Sequence, residues 1–107
     1  GMPMEIKTLL KKLKSGLQQM YGEQFRAAFL FGSYARGDNN PDSDVDVLII
    51  LSDFEKYGAE LNRTSELIGN LSFEHDTTVS VVFTREREWQ MDKLPLLLNI
   101  HAEGVAV

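Results

Sequence analysis

Apolar residues at Ile6, Leu9, Leu10, Leu13, Leu17 and Met20 recur at three- and four-residue intervals, with Lys7, Lys11, Lys12 and Lys14 mostly between them. That period describes one buried face of a helix over 4–21. Pro3 suits its first turn and Gly22 its end. The run Ala27-Ala28-Phe29-Leu30-Phe31 is short, continuous and stopped by Gly32. It predicts a buried strand followed by a turn able to open a short helix. Residues 37–43, Gly-Asp-Asn-Asn-Pro-Asp-Ser, have loop composition. From Asp44 to Leu51 two acids alternate with valine and then give way to an aliphatic run, the pattern of a mostly buried second strand. Residues 54–71 read as a helix with Tyr57, Leu61, Ile68 and Leu71 inward, weakened by Gly58 and Gly69. The Val- and Thr-rich stretch 77–84 predicts a third strand. Residues 85–92 and 95–103, the latter closed by Gly104, predict two short helices. The order gives an α/β or α+β fold, a small mixed β-sheet packed with helices.

Composition narrows the function classes. Among 107 residues, 11 Lys plus Arg stand against 16 Asp plus Glu, a net charge of −5. Nucleic acid is therefore not an expected partner, because phosphate backbones are held by Lys and Arg. The absence of cysteine excludes disulfides, thiolate catalysis and Cys-based zinc sites. No stretch approaches the roughly 18 apolar residues of a membrane span, and no signal peptide is visible. A cytoplasmic location without a membrane partner is expected. The length suits a single domain over 1–107; Gly1 ahead of Met2 is read as a cloning remnant and set aside.

The chemistry concentrates between Phe31 and Ile50. Gly32 lets the backbone turn tightly and lets a ligand approach. Ser33 can cap the short helix and offer a hydroxyl to a phosphate oxygen. Free N–H groups at a helix start attract anions, and Arg36 adds a positive charge one turn on. Asp44 and Asp46 are two apart, so on a strand both carboxylates project from the same face. Like charges that close raise each other's pKa unless a cation neutralises them. Mg²⁺ binds through one or two carboxylates plus substrate phosphates. The residues thus read as an aspartate-held metal with a triphosphate tail lying between it and the Gly-Ser turn. A solvated acidic loop fits less well, because Val45 and Val47 begin the apolar run at once. Asp42-x-Asp44-x-Asp46 also opens like a calcium loop, but Val47 stands where such a loop needs glycine.

The string Phe-Gly-Ser-Tyr-Ala-Arg-Gly at 31–37, with Ser43-Asp44-Val45-Asp46 following, resembles the signature of the polymerase-beta-like nucleotidyltransferases. It is most similar to the minimal nucleotidyltransferases of bacteria and archaea, the antitoxin family, some of which pair with a HEPN-domain toxin. The resemblance implies a palm-like nucleotidyltransferase fold and a Mg²⁺-dependent transfer of a nucleoside monophosphate, AMP from ATP, to a hydroxyl acceptor. One such acceptor is a tyrosine of a HEPN partner. It implies that Asp44 and Asp46 hold Mg²⁺, that Gly32 and Ser33 cradle the β- and γ-phosphates, and that Arg36 helps neutralise them. It further implies a third catalytic, metal-binding carboxylate from a neighbouring strand. Asp76 is the candidate and Glu74 the fallback. A site at Ser80, on the same strand face, would leave this chain without one. In that case the chain is a nucleotide-binding module acting by docking to a partner. The chain ends soon after the palm, so a partner or a homo-oligomer is expected to supply the acceptor surface.

Other residues have structural readings. His75 and His101 are expected in structural or surface roles, and Trp89 as a core or edge anchor. The α-helical lysines are expected to form a solvated face. Leu94, Leu96, Leu97, Leu98 and Ile100 either complete the core or dock a partner.

Overall fold

A computed structural model describes residues 2–91 and 93–107; Asp92, at the end of the helix expected over 85–92, lies outside the described residues. Helix α1 (Met4–Tyr21) buries Ile6, Leu9, Leu10, Leu13 and Leu17, as the apolar period requires. Met20 departs from that face and is exposed. The last turn of α1 instead brings Tyr21 inward, where its hydroxyl donates to Glu60 Oε1 at 2.7 Å. A single 3₁₀ turn, Gly22–Gln24, leads into β1 (Phe25–Phe31). The short helix α2 (Ser33–Arg36) follows, then β2 (Val45–Leu51), α3 (Tyr57–Glu74), β3 (Val79–Arg85), α4 (Glu86–Met91), α5 (Pro95–Glu103) and β4 (Val105–Ala106).

Among the described residues the strands form one sheet of order β3-β2-β1-β4. The β1–β2 and β1–β4 pairs are antiparallel, whereas β2 and β3 are parallel. A parallel pair needs a crossover, and α3 provides it. The outer edge of β3 is capped by side chains. Ser72 Oγ accepts from the Val79 N–H at 3.2 Å, and the Tyr57 hydroxyl from the Phe83 N–H at 3.2 Å. Such caps blunt the edge against pairing with another chain.

The sheet has helices on both faces. Val45, Val47, Ile49 and Leu51 of β2 pack with Leu30, Phe83 and the α1 leucines in the larger core. The even-numbered residues Leu48 and Ile50 turn the other way and pack with Leu97 and Ile100 of α5. Trp89 anchors this second layer between Phe29 and His101, at ring-centroid distances of 5.1 and 3.5 Å. Its role is the packing one read from the sequence.

Helix α3 differs most from expectation. It starts and ends three residues late, and Tyr57 and Leu61 are 41% and 40% exposed. The buried positions are Glu60, Thr64 and Leu71. Polar groups occupy the inner face because each has a partner. Glu60 accepts from Tyr21 and from Arg63 Nε at 3.1 Å, and the Thr64 hydroxyl donates to the Glu60 carbonyl at 2.9 Å. The two long helices approach closely at Gly16, where a Cβ would lie 2.7 Å from Leu67 Cδ1.

Candidate active site

The Gly32 backbone has φ +75°, a region that L side chains rarely adopt. A Cβ there would also lie 2.3 Å from Asp46 Oδ2. Glycine is therefore required twice over, and the turn after β1 lies directly against the Asp46 carboxylate. The sheet produces this contact, because Phe31 is the register partner of Asp46. Gly32 serves as N-cap of α2, and Ser33, expected as a cap, is instead the first helical residue and makes no capping bond. The Gly32 carbonyl accepts from the Ala35 and Arg36 N–H groups, both at 3.1 Å. The N–H groups of Ser33 and Tyr34 thus precede the first intrahelical bond, the position at which helices receive anions.

The loop after α2 is held by its own polar groups. Gly37 closes the helix at φ +83°. The Asn40 N–H donates to Ser43 Oγ at 2.9 Å, and the Asp42 N–H to Asn40 Oδ1 at 2.8 Å. This loop delivers Asp42 and Asp44 to the same opening as Asp46. Asp44 lies one residue before β2, and the Val45 N–H after it donates to the Thr78 carbonyl at 2.8 Å. Asp46 is half-buried and Asp44 exposed. Burial, and then the Asp44 charge, push the Asp46 carboxyl above the usual carboxylate range, while Arg36 pulls it down. Arg36 also pairs with Asp38 at 3.3 Å.

These groups line a cleft of about 600 Å³, within the ordinary size of small-molecule sites. Phe31, Gly32, Ser33 and Arg36 form one wall, and Asp42, Asp44 and Asp46 another. Leu96, Asn99, Ile100 and Glu103 of α5 form a third wall. The sequence reading did not single out Asn99 or Glu103. Their signal was slight: with His101 they are the polar residues of a helix that is otherwise apolar.

The third carboxylate is placed differently from its neighbours. Asp76 sits in the turn between α3 and β3, at φ +48°, and is not among the cleft-lining residues. Glu74, the fallback, ends α3 and pairs with Lys12 of α1, whose hydrogen bond and charge hold its carboxyl below the usual range. Ser80 is the register partner of Asp46 on β3, so the place beside Asp46 carries a hydroxyl. His75 is packed between α3 and α1, its Nδ1 3.4 Å from Glu5, a structural placement.

The donor set suits a divalent cation that shares its shell with a ligand. Among the described residues no three His, Cys, Asp or Glu side chains converge as a closed metal site. Two carboxylates next to an anion-receiving turn match the way Mg²⁺ is held with substrate phosphates. Among the described residues no helix is long and apolar enough to cross a membrane.

Residues 10–102 match the family model described as a nucleotidyltransferase domain. The chain is 30% identical over 83 residues to the Methanocaldococcus jannaschii protein named "Putative protein adenylyltransferase MJ0141", covering 78% of this chain and 83% of that one. Its fold matches a toxin–antitoxin crystal structure with AMP-PNP (TM-score 0.66, 21% identity, 90% of this chain and 69% of that chain). It also matches a chain of the Shewanella oneidensis complex of a tri-AMPylated HEPN toxin with its MNT antitoxin (TM-score 0.56, 19% identity, 96% and 71%). The family match spans both the Gly32–Ser33 turn and the Asp44/Asp46 pair, and this chain belongs to the nucleotidyltransferase domain family.

Proposed function

We propose that this chain transfers AMP from Mg²⁺-bound ATP to a hydroxyl on a partner protein. The observation that carries the reading is the contact of the Gly32 turn with the Asp46 carboxylate. A phosphate received by that turn lies beside the group that holds the cation. Asp44 and Asp46 would hold Mg²⁺, which when bound stabilises charge on the attacking and leaving oxygens. The Gly32–Ser33 turn and Arg36 orient the β- and γ-phosphates. The acceptor hydroxyl oxygen attacks the α-phosphorus as its proton passes to solvent, the bond between the α-phosphorus and the α,β-bridging oxygen breaks, and pyrophosphate leaves. Fixing both reactants in one cleft supplies much of the acceleration. The adenylyltransferase relative supports AMP as the transferred group. The neighbouring complex of a tri-AMPylated HEPN toxin with its antitoxin supports a HEPN-type protein as acceptor; tyrosine is the hydroxyl that the sequence resemblance implies.

The test is label transfer to a HEPN-domain partner in the presence of Mg²⁺. Label from α-³²P-ATP should enter the partner and label from γ-³²P-ATP should not. Transfer that survives Asp44→Asn with Asp46→Asn contradicts the reading.

A second reading rests on Ser80. With a hydroxyl rather than a carboxylate beside Asp46, the chain would bind nucleotide and act by docking to its partner. Tight ATP and partner binding with no label transfer, and transfer gained on Ser80→Asp, would favour it.

A further inference from the structure

We infer that the cleft-facing side of α5 is the nucleoside wall of the cleft, with Glu103 receiving the sugar hydroxyls and Asn99 the edge of the base. The inference rests on the nucleotide reading above and extends it to residues outside the Gly-Ser and Asp-x-Asp signature.

The cleft of about 600 Å³ extends past the Gly-Ser turn and the aspartates to α5. Gly32, Ser33 and Arg36 receive an anion, and the aspartates face the cation that accompanies it. What remains for the uncharged part of a nucleotide is α5. Leu96, Asn99, Ile100 and Glu103 line the cleft together, and offsets of three, four and seven place them on one helical face. Register orders them along that face. Leu30 pairs with Val105, so the C-terminal end of α5 arrives beside the end of β1 and the phosphate turn. Glu103 is therefore nearest the phosphates, where a sugar follows. Asn99 lies one turn, about 6 Å, further away, where a base follows.

The chemistry agrees with the order. A carboxylate in the last turn of a helix opposes the helix dipole, and Glu103 also shares its cleft with Asp42, Asp44 and Asp46. Like charge keeps it from any phosphate, so what suits it is a donor, and sugar hydroxyls are donors. An amide such as Asn99 both donates and accepts, as a base edge demands. Leu96, which is exposed, offers apolar surface to the base plane. The helix is fixed in advance, with Leu97 and Ile100 buried and His101 stacked on Trp89 with its Nε2 3.1 Å from the Trp89 carbonyl.

The test is calorimetric binding in Mg²⁺ of three probes that cannot be consumed as AMP donors: α,β-methylene-ATP, its 2′-deoxy counterpart and inorganic tripolyphosphate. The intact chain should prefer the ribose form about 10-fold or more, the value of a hydrogen bond to a charged group. Glu103→Gln should reduce that preference to less than about 3-fold while tripolyphosphate binds equally or more tightly, since a repelling charge is gone. Asn99→Ala should weaken α,β-methylene-ATP about 3- to 10-fold and leave tripolyphosphate unchanged. If the nucleotide binds both variants as it binds the intact chain, or if the variants weaken tripolyphosphate in parallel, the wall assignment is overturned and the nucleotide reading stands. If no probe binds the intact chain, the nucleotide reading fails and takes the wall with it.

Discussion

Replacing Asp46 by asparagine should make the protein more stable and less able to hold a cation. Asp44 and Asp46 are two residues apart on extended backbone, roughly 6–7 Å between like charges. Coulomb's law gives a repulsion of about 0.6 kcal/mol at the dielectric constant of water and about 2.5 kcal/mol at a surface value of 20. Asp44 is exposed and salt screens it, so the lower part of that range applies, about 1 kcal/mol. For a chain of this size that is about 4 °C in Tm. The pH dependence has a definite sign. Burial and Asp44 raise the native Asp46 pKa, so between the unfolded pKa, about 3.9, and the raised native value the native state holds the extra proton. The intact protein therefore loses stability as pH rises through that window. The advantage of Asp46→Asn is full above it and gone below pH 3.9. Thermal unfolding at neutral and acid pH, with and without MgCl₂ and ATP analogue in excess over the protein, reads both effects, because a ligand of the native state raises Tm. A variant less stable than the intact protein at neutral pH in the absence of Mg²⁺ would refute the reasoning.

Other residues give sharp expectations. Gly32→Ala should cost about 1–3 kcal/mol, because φ +75° with ψ −156° is a conformation essentially confined to glycine, and, by displacing the Asp46 carboxylate, should lower label transfer by about 100-fold or more; wild-type transfer would contradict the close contact. Leu13→Ala, at a fully buried position, should cost about 2–5 kcal/mol in urea unfolding. Tyr21→Phe removes a donor from buried Glu60 and should cost about 1–3 kcal/mol. Burial and Glu60 raise the Tyr21 phenol above its ordinary range, so the native state keeps that proton longer than the unfolded one. The intact protein should lose stability as pH rises past about 10, and Tyr21→Phe should lose less; identical alkaline titration curves would count against the Tyr21–Glu60 bond.

The parts of the molecule governed by local pattern were legible. The period of α1 and the offset of Asp44 from Asp46 are short-range facts, and the helix bounds and the shared opening of the two acids follow from them. What was not legible depended on partners distant in the chain. Helix α3 turned Glu60 inward because Tyr21, 39 residues away, donates to it, and no pattern within 54–71 shows that. Strand β4 is two residues long and exists through its pairing with β1. The neighbour of Asp46 on β3 was decided by sheet register, which places Ser80 there and leaves Asp76 in the preceding turn. The α5 wall was hidden for a similar reason, since an apolar helix near the end of a chain reads as core until the sheet shows which side faces the cleft.

Asp44 and Asp46 are proposed to hold a divalent cation together with a triphosphate. Mn²⁺, whose free ion has a strong electron paramagnetic resonance signal, tests it directly. On titrating the protein into Mn²⁺ with α,β-methylene-ATP, the signal should change beyond that of the metal–nucleotide pair alone, and should show no such change with the protein carrying Asp44→Asn and Asp46→Asn. The same change in that double variant would contradict it.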